Sequence, residues 1–152
     1  MKKNLFLLGS LIVVFLVFSC ENPSNQEQFK QLNGYWSIQK VKQKNGDIKT
    51  YKANPTVDYI EVDSTGKGYR TKVQPKFDGS FKTSATIEKF KLKMENDSLR
   101  FHYKTKMDDW TETVLALDKD KFTVKNKRGL VYTYKRFESL EKQLKAHEHV
   151  KK

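Results

Sequence analysis

The sequence is poor in the residue types that most often carry chemistry. It has one cysteine, at position 20, and three histidines in 152 residues. A lone cysteine cannot form an internal disulfide, so the mature fold must be stable without one. His147-Glu148-His149 lies in the charged tail with no third ligand nearby in sequence, which argues against a metal centre. The chain also has no Gly-x-Ser-x-Gly, P-loop or paired carboxylates, so we expect no catalytic residue, no cofactor and no metal.

Arginine is scarce as well, because it occurs only at positions 70, 100, 128 and 136 while lysine supplies most of the positive charge. Nucleic-acid surfaces tend to cluster arginine among aromatic residues. Here Lys89, Lys91 and Lys93 alternate along a segment, which is typical of the solvent face of a sheet. We therefore expect no nucleic-acid partner. The charge leaves anionic headgroups, acidic glycans and simple solubility as open alternatives.

No apolar run at the N-terminus is long enough to span a bilayer. The stretch from Leu5 to Phe18 has about fourteen residues, against about twenty for a hydrocarbon core. Two lysines precede it, and the chain becomes polar directly after Cys20. This order of positive start, short apolar middle and small residue at the cut is typical of a secretion signal.

Val17-Phe18-Ser19-Cys20 resembles the lipobox of bacterial lipoproteins, although Phe18 stands where a small residue is usual. The resemblance implies that Cys20 is acylated and becomes the first residue of the mature chain. Two or more acyl chains, at about 0.8 kcal/mol per buried methylene, would hold the protein on a membrane. The alternatives are a secreted protein cut after Ser19 and an uncut membrane helix. We expect the bacterial cell envelope, at the outer membrane, with the domain on the periplasmic or the surface face.

Cleavage before Cys20 leaves about 133 residues, which is one domain's worth of chain. Residues 1–19 contain two lysines and no acidic residue, so the formal charge falls from +12 to about +10. We divide the chain into a signal peptide (1–19), a lipidated tether with a plug turn (20–33), a β-domain (34–137) and a C-terminal helix with a charged tail (138–152). The helix is predicted because Phe137, Leu140 and Leu144 recur at helical spacing.

Between Gly34 and Phe137 the apolar residues recur with a period of two. Leu99, Phe101 and Tyr103 alternate with polar residues, and Phe90, Leu92 and Met94 do the same, as do Leu130, Tyr132 and Tyr134. Such alternation predicts half-buried antiparallel strands. Seven turn sequences separate the runs and predict about eight strands. They are Asn45-Gly46-Asp47, Asp63-Ser64-Thr65-Gly66, Phe77-Asp78-Gly79-Ser80, Glu95-Asn96-Asp97-Ser98, Met107-Asp108-Asp109, Asp118-Lys119-Asp120 and Asn126-Lys127-Arg128-Gly129.

Gly34-Tyr35-Trp36 opens the first strand directly after the plug turn and resembles the first signature of the lipocalins. Tyr134-Lys135-Arg136 resembles their late cation, and the chain as a whole resembles the compact lipocalin-like lipoproteins of Bacteroidetes. The resemblance implies that Gly34, Trp36 and Arg136 form the barrel base, with Arg136 packed across the indole. A cation over an indole gains about 0.5 to 2 kcal/mol. We therefore expect an all-β fold: an antiparallel up-and-down barrel of about eight strands with a short N-terminal plug turn and a C-terminal α-helix.

A barrel of this size is either filled by side chains or admits one small ligand. We therefore expect a lipid-anchored protein that binds a small hydrophobic or amphipathic molecule, and the alternative is a packed barrel that docks an envelope protein or glycan. The expected cavity residues share alternating aromatic or apolar positions on three predicted strands; they are Phe90, Leu92, Phe101, Tyr103, Tyr132 and Tyr134. Asp63-Ser64-Thr65 and Asp97-Ser98-Leu99 resemble O-glycosylation sites of exported Bacteroidetes proteins.

Overall fold

The fold is a sheet that closes on itself, preceded by one helix. The computed structural model describes residues 24–52 and 54–139. In chain order the elements are α1 (Asn25–Leu32), β1 (Gly34–Lys42), β2 (Ile48–Thr50), β3 (Val57–Val62), β4 (Lys67–Pro75), β5 (Phe81–Glu95), β6 (Ser98–Lys104), β7 (Asp109–Leu117), β8 (Lys121–Asn126) and β9 (Val131–Arg136).

All strand pairs are antiparallel, and β9 returns to pair with β1. The short β2 and the longer β3 share one edge of β1, because β2 pairs with its last three residues and β3 with its first three. The ring therefore has eight strand positions. The predicted all-β antiparallel barrel of about eight strands is confirmed.

Alternation along each strand decides which side chains enter the barrel. In β6, Leu99, Phe101 and Tyr103 are buried, whereas Arg100 and His102 between them are only half-buried. The seven turn sequences each connect two strands. The sequence pattern therefore positions both the strands and the inward-facing residues.

One end of the barrel is covered by α1, and we call it the closed end; it carries the loops 63–66, 96–97 and 118–120. The opposite, open end carries the loops 43–47, 76–80, 105–108 and 127–130. Ser24 caps α1 by accepting from the amide of Glu27 at 3.3 Å, and the helix buries Phe29 and Leu32 against the barrel. A capped two-turn helix thus stands where a plug turn was predicted. Within the described residues, no helix is both long and apolar enough to cross a bilayer.

Trp36 and Arg136 fix the closed end. The Trp36 indole is fully buried and donates to the carbonyl of Leu32 at 2.7 Å. The guanidinium carbon of Arg136 lies 4.0 Å from the centre of the indole ring. The same guanidinium donates to the carbonyls of Gln31, at 2.6 Å, and Asn33, at 2.8 Å. These contacts join the end of α1 to β1 and β9.

Gly34 is required by this arrangement. Its φ of +117° is unfavourable for residues with a side chain, and a Cβ there would lie 2.9 Å from Nη1 of Arg136. The guanidinium cannot move away without losing its carbonyl partners. The glycine, the indole and the cation therefore form one unit.

Aromatic rings fill the closed half of the interior. Phe122 meets Trp36 edge-on at 4.6 Å and stacks on Tyr134 at 4.6 Å. Phe90 meets Phe101 edge-on at 4.9 Å. Edge-to-face and offset-stacked pairs are favourable ring geometries, so this half is a packed core.

The predicted C-terminal helix is not confirmed. Residues 140–152 lie outside the described residues, and Glu138 and Ser139 are not helical. The amide of Phe137 donates to the carbonyl of Tyr35 at 2.8 Å, and its ring packs against Phe81 on the outer wall. Directly after β9, Phe137 therefore joins the outer wall rather than starting a helix.

Gly34→Ala should destabilise the barrel by about 2 to 4 kcal/mol, for two reasons. The alanine would be strained at this positive φ, and its Cβ would displace the guanidinium of Arg136. Gly79→Ala is the matched control, because its φ is +80° but nothing lies within 4 Å of the added carbon. We expect the control to cost about 1 kcal/mol. Urea unfolding of residues 21–152, which contain every described contact, measures both. Equal losses would contradict the proposed role of Arg136.

Candidate functional site

Charged side chains gather in the open half of the barrel, where alternation brings them together; the side chain of Lys72 among them is 65% exposed. Arg70 of β4 faces its register partner Glu88 of β5, and Nε lies 2.9 Å from the carboxylate. Glu112 of β7 reaches the same guanidinium, at 3.2 Å from Nη1. Asp58 of β3 faces its register partner Lys72, with Nζ at 2.7 Å. We call these five residues the inner charged cluster.

The cluster has three carboxylates for two cations, and Asp58, Arg70 and Glu112 are almost fully buried. Burial opposes the charge of Arg70, but the carboxylates of Glu112 and Asp58 outweigh it and hold the pKa of the guanidinium well above its ordinary value. Removing one partner of such a buried pair typically costs about 3 to 5 kcal/mol, whereas the intact pair adds little net stability. The cluster therefore needs an explanation other than stability.

Tyr103 connects the cluster to the aromatic core. Its ring lies 4.7 Å from the guanidinium carbon of Arg70 and stacks on Trp110 at 4.6 Å. Its hydroxyl is buried and has no hydrogen-bond partner among the described residues. Burial raises the pKa of Tyr103 well above its ordinary value, so the hydroxyl stays protonated and available as a donor. Buried polar groups are nearly always bonded, so an unpartnered one marks a functional candidate.

Tyr134 is the counterexample in the same interior. Burial raises the pKa of its hydroxyl well above the ordinary value, and the charge of Asp58 adds to the shift. Its hydroxyl also bonds to the Asp58 carboxylate. Of these two buried tyrosines, only Tyr103 leaves its hydroxyl unpartnered among the described residues.

A cavity of about 270 Å³ opens onto this cluster. The β4–β5 ladder shifts register beside it, between Thr71 and Val73. Thr71 bonds the carbonyl of Thr86 across the gap at 2.9 Å. The lining residues are Arg70, Thr71, Lys72, Ser84, Thr86 and Glu88. A second cavity of about 190 Å³ lies further toward the rim, and Lys72 and Ser84 line both.

The opposite wall of the open half is apolar. Ile38, Trp110, Val114 and Tyr132 are only partly buried and pack against the core. They come from β1, β7 and β9, whereas the cavity lining comes from β4 and β5. The open half therefore offers charges and hydroxyls on one side and rings and aliphatic groups on the other.

The predicted cavity residues lie mostly in the packed part of the interior. Phe90, Leu92, Phe101, Tyr103 and Tyr134 are buried and contact one another, while Tyr132 is half-buried. The residues that line the polar cavity were not among them. Strand alternation alone could have indicated them, because Glu88 shares the inward face of β5 with Phe90.

The remaining predicted sites are placed as follows. Ser64 and Thr65 are exposed at a closed-end turn, and the Thr65 hydroxyl bonds Asp63 at 2.7 Å. Ser98 is half-buried at the start of β6. Cys20 and the histidines of the tail lie outside the described residues. Among the residues that are described, no cluster of potential metal ligands occurs.

Comparison with known proteins gives two matches. The sequence profile described as a lipocalin-like domain matches residues 32–138. A crystal structure of a lipocalin-like protein from Bacteroides uniformis is similar at a TM-score of 0.46 and 12% identity, covering 70% of this chain and 99% of that chain. No curated protein sequence matches significantly. The profile spans all nine strands.

Tyr103→Phe should leave the stability of the free protein unchanged or raise it by about 1 kcal/mol, since it removes a buried hydroxyl without a partner. Tyr134→Phe should lower stability by about 1 to 2 kcal/mol, because Asp58 loses a hydrogen bond. The urea unfolding midpoints of the two variants, each measured in the chain of residues 21–152, compare these effects. A loss for Tyr103→Phe as large as that for Tyr134→Phe would mean that the Tyr103 hydroxyl is satisfied within the fold.

Proposed function

The chain belongs to the lipocalin-like domain family, and from that premise we propose that it binds a small amphipathic molecule in the open half of its barrel. The observation that carries the proposal is the buried Tyr103 hydroxyl, unpartnered among the described residues and adjacent to Arg70. A ligand oxygen or nitrogen that accepts from Tyr103 would complete the bonding of this region. The function is binding rather than catalysis.

The two walls of the open half suggest how such a ligand lies. Its polar group faces Arg70, Glu88 and Ser84 at the cavity, and its apolar part lies against Trp110 and Ile38. Because the cluster already neutralises Arg70 with two carboxylates, a neutral head with hydroxyl or amide groups fits better than a second carboxylate. The cavity of about 270 Å³ lies just below the usual range of about 300 to 1,000 Å³, which favours a small molecule.

Native mass spectrometry of the protein purified from its own host tests the proposal directly. We expect a population with an added mass that is lost on denaturation. Protein that carries no such mass, and that also fails to bind the probe described next, would contradict ligand binding.

Trp110→Ala should weaken binding of the fluorescent amphiphile N-phenyl-1-naphthylamine by at least about tenfold, because the apolar wall loses its largest ring. Leu115→Ala is the control, since Leu115 lies on the same strand but is exposed on the outside. Fluorescence titration of residues 21–152 measures both affinities. Equal affinities would place the probe outside the barrel.

We also propose that Cys20 is acylated and holds the domain at the cell envelope. The support is the sequence alone: a short apolar stretch, the Val17-Phe18-Ser19-Cys20 pattern and a polar chain after it. A domain on a membrane would have access to amphipathic molecules that are scarce in solution.

Cys20→Ala should abolish both processing and membrane attachment through acyl chains. Intact mass of the wild-type protein should show a chain that begins at residue 20 and carries acyl groups. Wild-type protein with an unmodified cysteine would contradict the anchor and leave the barrel proposal unaffected.

The second candidate, an interaction module, has one observation in its favour. Rings gather on the outer wall, where Tyr35 stacks on Phe81 at 4.1 Å and the hydroxyls of Tyr59 and Tyr69 both bond Glu61 at 2.9 Å. Partial burial, then the bond to Glu61, raises the pKa of Tyr59 to about 12. A barrel that retains no small molecule in the tests above would favour this surface as a docking site for an envelope glycan or protein.

A further inference from the structure

The two most exposed large hydrophobic side chains of the described residues lie at the same end of the barrel. Phe77 is 88% exposed and Met107 is 98% exposed. Phe77 lies in the β4–β5 loop and Met107 in the β6–β7 loop, so both project from the open end. Side chains of this kind are normally buried or part of a contact surface.

Well-bonded turns hold both side chains outward. In the first turn the Asp78 carboxylate accepts from the amide and the hydroxyl of Ser80, at 2.9 and 2.6 Å. In the second, the Thr105 hydroxyl accepts from the amides of Met107 and Asp108, at 3.2 and 3.0 Å. The turn geometry therefore presents Phe77 and Met107 at fixed tips.

The charge of the loops differs between the two ends. The open-end loops carry five cations and three carboxylates: Lys44, Lys76, Lys106, Lys127, Arg128, Asp47, Asp78 and Asp108. The closed-end loops carry one cation and four carboxylates: Lys119, Asp63, Asp97, Asp118 and Asp120. Each apolar tip follows a lysine directly, as Lys76-Phe77 and Lys106-Met107.

The open-end carboxylates are already engaged. Asp78 closes its own turn, Asp47 accepts from the Asn45 amide at 2.7 Å, and Asp108 lies 3.8 Å from Lys127. The exposed Lys44, Lys76 and Lys106 form no ion pair within the described residues under a 4 Å limit. The surface seen from outside is therefore two apolar tips in loops with a net positive charge, each tip preceded by a lysine and followed by an aspartate.

We propose that the open end docks on an anionic phospholipid bilayer, with Phe77 and Met107 inserted between headgroups and the flanking lysines on the phosphates. Two separated apolar tips in loops of net positive charge fit an interface of headgroups and acyl chains better than a protein partner, which would require a contiguous apolar patch. Docking in this way would place the barrel opening at the membrane surface.

Cosedimentation of residues 21–152 with vesicles tests the proposal without an acyl anchor. Vesicles of equal parts phosphatidylcholine and phosphatidylglycerol should bind the protein, and phosphatidylcholine alone should bind it at least about tenfold more weakly. Phe77→Ser/Met107→Ser should weaken binding to the anionic vesicles by at least about tenfold. Ile87→Ser/Leu115→Ser is the matched control, because those residues are about half exposed on the side wall, and it should bind like the wild type.

A second readout reports which end faces the lipid. Residues 21–152 contain no cysteine, so Phe77→Cys, Met107→Cys and Ile87→Cys can each carry one environment-sensitive fluorophore. On anionic vesicles the first two should shift to the blue and the third should not. Absence of wild-type binding, equal binding of the two double variants, or a blue shift at position 87 alone would overturn the proposal. The affinity for N-phenyl-1-naphthylamine should be the same in both double variants, so this result is separable from ligand binding.

Discussion

The contact between Arg136 and Trp36 determines which end of the barrel is available. It joins the last carbonyls of α1 to β1 and β9, with the guanidinium 4.0 Å from the indole centre and bonded to two carbonyls of the chain around the helix end. A third bond runs from Nε to the carbonyl of Lys119 at 2.8 Å, so the loop before β8 is held as well. Charge-assisted bonds of this kind are among the stronger ones in proteins. Since this end is filled, the proposed ligand must enter from the other.

The side chains that line the interior change from aromatic to charged along the barrel axis, because only one end is filled. Rings fill the space above the helix, and the inner charged cluster follows only in the open half. Buried ion pairs are weak evidence for stability, and the proposed ligand site is placed beside Arg70 and Glu112 for that reason. If Cys20 is acylated, three residues separate it from Ser24, so the two lie at most about 14 Å apart. The anchored end is then the closed one, so the bilayer proposed to receive Phe77 and Met107 is not the one that holds the acyl chains.

Strand alternation and turn chemistry made most of the barrel predictable, because both are local properties of the chain. The base was predictable from the family resemblance through Gly34, Trp36 and Arg136. The inner charged cluster was not, because Arg70 and Glu112 are 42 residues apart and only closure of the barrel brings them within 3.2 Å. The C-terminal helix, predicted from the spacing of Phe137, Leu140 and Leu144, stays a prediction because residues 140–152 lie outside the described residues. Phe137 itself packs against Phe81, a contact with a distant strand that local periodicity cannot indicate.

A crystal structure of the protein isolated from its own host tests the central claim most directly. It should show Arg136 across the Trp36 ring at one end of the barrel. In the other half it should show density for a non-protein group within hydrogen-bond distance of the Tyr103 hydroxyl. An interior filled by the protein's own side chains, with that hydroxyl bonded to one of them, would contradict the account.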